Sequence, residues 1–245
     1  MKIDKNTKIL IIPDVHTHFE RAEAIIKKNK VDYIIFLGDY FDEFDDNGDI
    51  ALATAEWLKY SLNQENRVHI TGNHDIMYHF SQNRMIRCSG YDSFKSDKIN
   101  CVLKEQDWAK LRYFVTLPGN WLLTHAGIHP SHLRSRDMSF DEITEFLKEE
   151  SITCDEVSKN GGNHWFNHSG MCRGGGSAFG GLLWLDFDRE FEPLPNVNQL
   201  VGHTPSSKWR EIRTISTNYC IDTHPKMMYY AIYQNEKIDI IENKI

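Results

Sequence analysis

The sequence lacks any apolar run approaching the ~20 residues that a membrane-spanning helix needs. It has no C-x-x-C pair either. Its five cysteines, Cys88, Cys101, Cys154, Cys172 and Cys220, are scattered and odd in number. That argues against a disulfide framework and a structural zinc knuckle, and for a reducing cytoplasm. There is no excess of positive charge: 28 Lys+Arg against 35 Asp+Glu give a formal charge of −7. Tight nucleic-acid binding, which draws most of its affinity from basic side chains on phosphates, is therefore not expected. Repeats, low-complexity tracts and Pro/Ser linkers are also absent. The N-terminal Met1-Lys2-Ile3-Asp4-Lys5 runs into a short apolar stretch without a small-residue cleavage site, so it reads as the approach to a first strand rather than a signal peptide. With 245 residues, 40% apolar and 26% charged, one globular domain over residues 1–245 is the expectation.

Short apolar runs recur, and each ends in polar residues capable of chemistry. Ile9-Leu10-Ile11-Ile12 leads to Asp14-Val15-His16, and Tyr33-Ile34-Ile35-Phe36-Leu37 to Gly38-Asp39. Val68-His69-Ile70 leads to Thr71-Gly72-Asn73-His74, Trp121-Leu122-Leu123 to Thr124-His125, and Gln199-Leu200-Val201 to Gly202-His203. Runs this short, rich in Ile, Val and Leu, read as strands buried on both faces. Helical patterns lie between them at about 19–29, 50–64, 104–113 and 139–150, the last opened by Ser139-x-x-Glu142 as a capping box. The alternation predicts an α/β fold with one ligand site beyond the carboxyl ends of the strands. After Gly202, stretches at 212–222, 227–233 and 237–241 read as a β meander on the same core.

Residues of about 158–181 hold eight of the 15 glycines, together with His164, Trp165, His168, Arg173 and Phe179. A loop of that length inside a compact domain is expected to be a mobile element near the site.

Carboxylate, amide and imidazole donors at the strand ends suit borderline divalent ions such as Mn²⁺, Fe²⁺ or Zn²⁺, whereas Mg²⁺ prefers carboxylates and water. Asp39, lying between two donor groups, is able to bridge a pair of ions. Two-metal sites stabilise both the attacking and the leaving oxygen of an in-line displacement. Taken one at a time, these residues have simpler readings: Asp14 and Asp39 as helix caps, His125 and His203 as hydrogen-bonded core histidines, Asn73 as a turn residue. Their recurrence at the ends of five strands predicts one converging site.

Asp14-x-His16, Gly38-Asp39-x-x-Asp42, Gly72-Asn73-His74-Asp75, the later His125, and Gly202-His203-Thr204-Pro205 occur in the order seen in the calcineurin-like metallophosphoesterase superfamily, which the chain resembles over about residues 9–233. The resemblance implies two mixed β-sheets sandwiched between helices, a four-layer arrangement. It implies Asp14, His16 and Asp39 on a first ion, and Asp39, Asn73, His125 and His203 on a second. Proline at 205 replaces the second histidine of the Gly-His-x-His found in many members. With Leu182-Leu183-Trp184-x-Asp186 and Ile221-Asp222-Thr223, that variant is similar to the bacterial and phage serine/threonine phosphoprotein phosphatase and diadenosine tetraphosphatase branch. One departure stands out: the branch carries an arginine that grips phosphate after Gly-Asp-x-x-Asp, and this chain has Glu43. Arg189 and Arg173 are the candidates to replace it.

The chemistry implied is attack by a metal-bridging hydroxide on phosphorus, with His74 as general acid and Asp42 as its partner. The leading function is a phosphomonoesterase acting on a phosphoprotein or small phosphorylated molecule. A phosphodiesterase or (di)nucleotide hydrolase on the same site is the alternative, and a non-catalytic scaffold of the same fold comes third. His16-Thr17-His18 also resembles the His-x-His of barrel amidohydrolases, a reading with no use for the Gly-Asn-His-Asp and Gly-His-Thr-Pro motifs. His18 is then a surface or supporting residue, and His129, His132, His164, His168 and His224 are unassigned, with His164 or His168 a candidate for touching substrate. The acidic run Asp42 to Asp49 reads as a solvated loop which, if it borders the site, disfavours polyanionic substrates.

Overall fold

The computed structural model describes residues 3–4 and 6–244. Met1, Lys2 and Lys5, part of the segment read as leading into the first strand, lie outside the described residues. Ile9–Ile12 forms β1 and all four side chains are buried. It pairs in parallel with β2 (Tyr33–Phe36), which pairs in parallel with β3 (Arg67–His69). On its other side β1 meets β9 (Tyr229–Gln234) antiparallel, and β10 (Lys237–Glu242) forms the edge. The second sheet runs β4-β5-β6-β8-β7. Here β5 (Trp121–Thr124), β6 (Asn198–Val201) and β8 (Thr217–Cys220) are parallel, flanked by antiparallel β4 (Phe114–Leu117) and β7 (Arg210–Arg213).

Strand alternation explains the layers, because successive side chains face opposite sides. Ile9, Ile11, Ile35 and Leu37 of the first sheet share one apolar cluster with Val115, Leu123 and Leu200 of the second, filling the space between the sheets. Leu10, Ile12, Ile34 and Phe36 belong instead to the cluster containing Ala22 and Ile25 of α1 (Phe19–Lys28) and Ala51, Ala55 and Leu58 of α2 (Gly48–Leu62). Leu122 joins that cluster together with Ile143 and Leu147, so helices lie outside both sheets. The expected sandwich of two mixed sheets between helices is the observed architecture.

Four boundaries differ from expectation. In place of one helix at 104–113, α3 (Asn73–His79) is followed by α4 (Ser93–Val102) and the single turn α5 (Glu105–Trp108). α4 has no apolar stripe to announce it. Asp92 caps it, and it buries Lys95 and Ser96 beside Ile99. α6 runs Phe140–Lys159, beyond the expected end at 150, because Cys154 and Ser158 continue its buried face past the acidic Glu149-Glu150. β4 takes the residues that follow the expected third helix. Last, the C-terminal strands are not one meander: β7 and β8 complete the second sheet, and β9 and β10 return to the first.

The glycine-rich stretch after α6 folds back through two short 3₁₀ turns, Trp165–Asn167 and Met171–Arg173. Phe166 is fully buried, and the Glu190 carboxylate accepts the Gly180 N–H at 2.9 Å. Among the described residues no helix is long and apolar enough to cross a membrane.

Candidate metal centre

The carboxyl ends of β1, β2, β3, β5 and β6 converge, and the loops leaving them are tied to one another. The Asp39 carbonyl accepts the Val15 and His16 N–H groups at 3.0 and 2.7 Å, and the Tyr40 carbonyl accepts that of Thr17 at 2.8 Å. The Asp75 carboxylate collects three further N–H groups, from Asp39 (2.8 Å), Tyr40 (2.7 Å) and Gly72 (2.8 Å). Asp14 accepts the His203 N–H at 3.0 Å, which binds the β6 loop to the β1 loop across the two sheets. Tight turns at these ends force His16, Asp39, Asp42 and His203 to positive φ, between 40° and 68°. Non-glycine residues seldom adopt that region, and such outliers cluster at functional sites. Glycine is required twice by close approach: a Cβ on Gly72 would lie 2.0 Å from Asp39 Oδ1, and one on Gly202 1.9 Å from Asp14 Oδ1.

Two donor groups result, sharing Asp39: Asp14, His16 and Asp39, and Asp39, His125 and His203, each with ligand atoms within 4.8 Å of one another. Asn73 completes the second, its Oδ1 lying 3.0 Å from His125 Nε2. The leftover ring nitrogens are anchored. His125 Nδ1 is 2.9 Å from the Leu37 carbonyl, and His16 Nδ1 is 2.7 Å from that of Asp42, which leaves each Nε2 as the donor. His125 Nε2 then faces His203 Nδ1 at 3.1 Å and Asp39 Oδ2 at 3.3 Å. His203 Nε2 is buried with no hydrogen-bond partner. Imidazole nitrogens turned toward one another around a shared carboxylate are what a divalent ion would satisfy.

The charges agree. Burial and the neighbouring Asp222 push Asp14 well above the usual carboxylate range. Burial works against ionised Asp39, but His125, His74 and His16 outweigh it and hold its carboxyl low. Burial likewise opposes a charged His125, while Asp39 and Asp14 raise it to about 9. Three buried carboxylates, Asp14, Asp39 and Asp222, thus lie together without a lysine or arginine of the described residues among their hydrogen-bond or ion-pair contacts, an arrangement that bound cations would relieve.

His74 begins α3 one residue after Asn73, and its Nδ1 lies 2.9 Å from Asp42 Oδ2, leaving Nε2 available to a ligand. Asp42 Oδ1 also accepts from Tyr78 Oη at 2.6 Å and Lys95 Nζ at 2.5 Å. Burial opposes protonation of His74, yet Asp39 and Asp42 raise it well above the ordinary histidine value. Lys95 also pairs with Asp46 at 2.8 Å. The acidic run is therefore not uniformly solvated: Asp42 and Asp46 fold inward onto a buried lysine, while Phe44, Asp45 and Asp49 remain exposed.

The sequence model for calcineurin-like phosphoesterases matches residues 7–240. The chain belongs to that family. Its members hydrolyse phosphoester bonds, and the metal-ligand donor set described above is consistent with that assignment. A comparison with curated proteins finds no match. Among solved structures, a protein serine/threonine phosphatase from Saccharomyces cerevisiae with similarity to human PP5 superposes with a TM-score of 0.56 at 11% identity, over 98% of this chain and 81% of that one. A metallophosphoesterase from Sphaerobacter thermophilus gives 0.48 at 15% identity, over 98% and 89%. A protein provisionally assigned as a diadenosine tetraphosphatase gives 0.47 at 15% identity, over 99% and 96%.

In this calcineurin-like phosphoesterase the two candidate arginines separate. Arg173 pairs with Asp186 at 2.9 Å and donates to Thr204 Oγ1 at 3.1 Å, beside His203. Arg189 is exposed, and among the described residues its side chain reaches only the Cys172 carbonyl, at 3.4 Å, so it is not brought to the donor groups. His164 and His168 are also taken up elsewhere, by the Glu150 carboxylate and the Asn163 carbonyl. Sequence reasoning left four buried contributors without roles: Asp75, Asp222, Tyr78 and Lys95. Asp75 and Asp222 sat inside quoted motifs, and Asp222 proves to lie just past β8, a sixth strand aimed at the site. Nothing local marks Lys95, whose partners lie 53 and 49 residues away.

Proposed function

We propose that this chain is a two-metal phosphoester hydrolase with phosphomonoesters, on a protein or a small molecule, as its first substrate class. The observation that carries the reading is the pair of donor groups joined through Asp39. Asp14, His16 and Asp39 would hold one divalent ion, and Asp39, Asn73, His125 and His203 the other. The mixed nitrogen and oxygen donors fit Mn²⁺, with Fe and Zn as further occupants. When bound, the ions lower the pKa of coordinated water and neutralise charge developing on the phosphoryl oxygens. The chain's own residues do the rest. Asp75 fixes the backbone of the bridging residue, and Asp42 orients the protonated His74 ring so that its Nε2 proton reaches the leaving oxygen. Arg173, which donates to Thr204 next to His203, is the arginine we assign to a phosphoryl oxygen. Five free cysteines support work in a reducing cytoplasm.

A second reading, phosphodiesters or nucleotides, is favoured by one observation: the Glu43 carboxylate at the His16 side of the centre, 3.0 Å from His224. The test is hydrolysis of a nitrophenyl phosphate monoester and of the corresponding diester by Mn²⁺-loaded protein, beside an Asp39→Asn variant. Monoester turnover lost in the variant supports the first reading, and diester preference supports the second. Turnover of neither across several metals, or equal turnover in the variant, contradicts both.

A further inference from the structure

Residues 41–43 wrap the first donor group: the Phe41 and Asp42 carbonyls face His16 Nδ1 at 3.1 and 2.7 Å, and Glu43 follows directly. The His224 ring packs against that of His16 with centroids 4.3 Å apart, and stacks at 6.2 Å on His18. Glu43 Oε2 lies between these outer rings, 3.0 Å from His224 Nε2 and 3.3 Å from His18 Nε2. Neither contact has hydrogen-bonding alignment, and the buried Oε2 has no hydrogen-bond partner. Its sister Oε1 accepts the Phe44 N–H at 2.8 Å, which fixes the carboxylate in place.

The contrast with the next carboxylates along the chain is instructive. Asp42 and Asp46 share the Lys95 ammonium, whereas Glu43 has imidazoles beside it and, among the described residues, no lysine or arginine contact. Arg21, a permanent cation on the His18 side, donates instead to the Pro225 carbonyl at 2.5 Å. Carboxylates are ionised at neutral pH, so the wall of the site next to His16 carries uncompensated negative charge.

We propose that Glu43 is a specificity-determining residue that discriminates against doubly charged phosphoryl groups in favour of singly charged ones. The inference rests on phosphoester hydrolysis at this centre, and on neither ester class in particular. A carboxylate beside the His16 end of the centre repels each unit of substrate charge, so the second negative charge of a monoester is penalised on top of the first. For a partly solvated site that extra unit corresponds to about tenfold in kcat/KM.

The experiment compares p-nitrophenyl phosphate, with two charges, against p-nitrophenyl methylphosphonate, with one charge and the same leaving group. Both are measured on the metal-loaded wild-type protein, Glu43→Gln and Glu43→Asp. The proposal expects the ratio of kcat/KM, dianion over monoanion, to rise about tenfold in Glu43→Gln and to stay near wild type in Glu43→Asp. Added salt should raise the wild-type ratio and leave that of Glu43→Gln flat. An unchanged ratio in Glu43→Gln overturns the proposal while hydrolysis stands. An equal rise in both variants also overturns it, because the effect then follows the imidazole geometry and not the charge. If wild type cleaves neither compound with any metal, the hydrolase reading fails and takes this proposal with it.

Discussion

Replacing Asp75 by alanine tests how much of the centre is built by the backbone. Its carboxylate accepts three N–H groups, from Asp39, Tyr40 and Gly72, each at 2.7–2.8 Å, and the residue is fully buried. Alanine leaves three inward-facing donors without acceptors. One such orphan costs ~1–3 kcal/mol, and the three share one cavity that water can enter, so the sum is taken as ~3–5 kcal/mol. That is a large part of the ~5–15 kcal/mol that holds a typical domain together. Urea unfolding of the metal-free protein should show a midpoint lowered by about 1–2 M at an unchanged slope. Metal affinity should fall too, because Asp39 loses the anchor that holds its backbone at φ 48°. Asp239→Ala, on the exposed side of β10, is the control. A midpoint no lower than that control, with metal affinity intact, would refute the argument that Asp75 holds the loops together.

His74→Gln should lower kcat by ~10²–10⁴ for substrates with poor leaving groups, with the number of ions bound per chain unchanged, as read by steady-state kinetics and metal analysis. Arg173→Ala should raise KM for a phosphoester at least several-fold, and the exposed Arg189→Ala should leave it alone. Equal effects would remove Arg173 from the site. Above about pH 7 the metal-free protein should lose stability as pH rises, whereas below 7 the loss carried by Asp75 is opposed by His69, His79 and His224, lowered by burial to about 3, 4 and 4, which gain stability over that range. Burial, then Asp39, lifts folded Asp75 from 3.8 to about 7, so its contribution is complete below about pH 4 and fades toward 7. His125, raised from 6.5 to about 9, adds a second loss between those values. Denaturation midpoints at pH 7, 8 and 9 check this, and Mn²⁺ should flatten the curve.

The six candidate ligands were legible because strand ends are local features: a run such as Ile9–Ile12 stops, and Asp14 and His16 follow within one turn. The sandwich was legible for a related reason, since strands buried on both faces need covering layers. Features set by distant partners were not. α4 has a polar sequence, and the burial of its Lys95 is set by Asp42 and Asp46, which lie far along the chain. The C-terminal strands carry equal β character, and nothing in 212–241 says that β8 will lie beside β6 while β9 crosses to β1. Arg189 and Arg173 looked alike along the chain, and only the fold of the glycine-rich segment separates them. Asp222 lacked a role because its strand was read as part of a meander, not as another parallel strand ending at the centre.

The central claim is that two divalent ions bind through Asp39. Equilibrium dialysis or calorimetric titration of the metal-free protein with Mn²⁺ tests it most directly, beside Asp39→Asn. The account predicts two ions per wild-type chain and weakened binding of both in the variant, since Asp39 belongs to each donor group. Stoichiometry of one or none, or two ions bound equally well by Asp39→Asn, would contradict it.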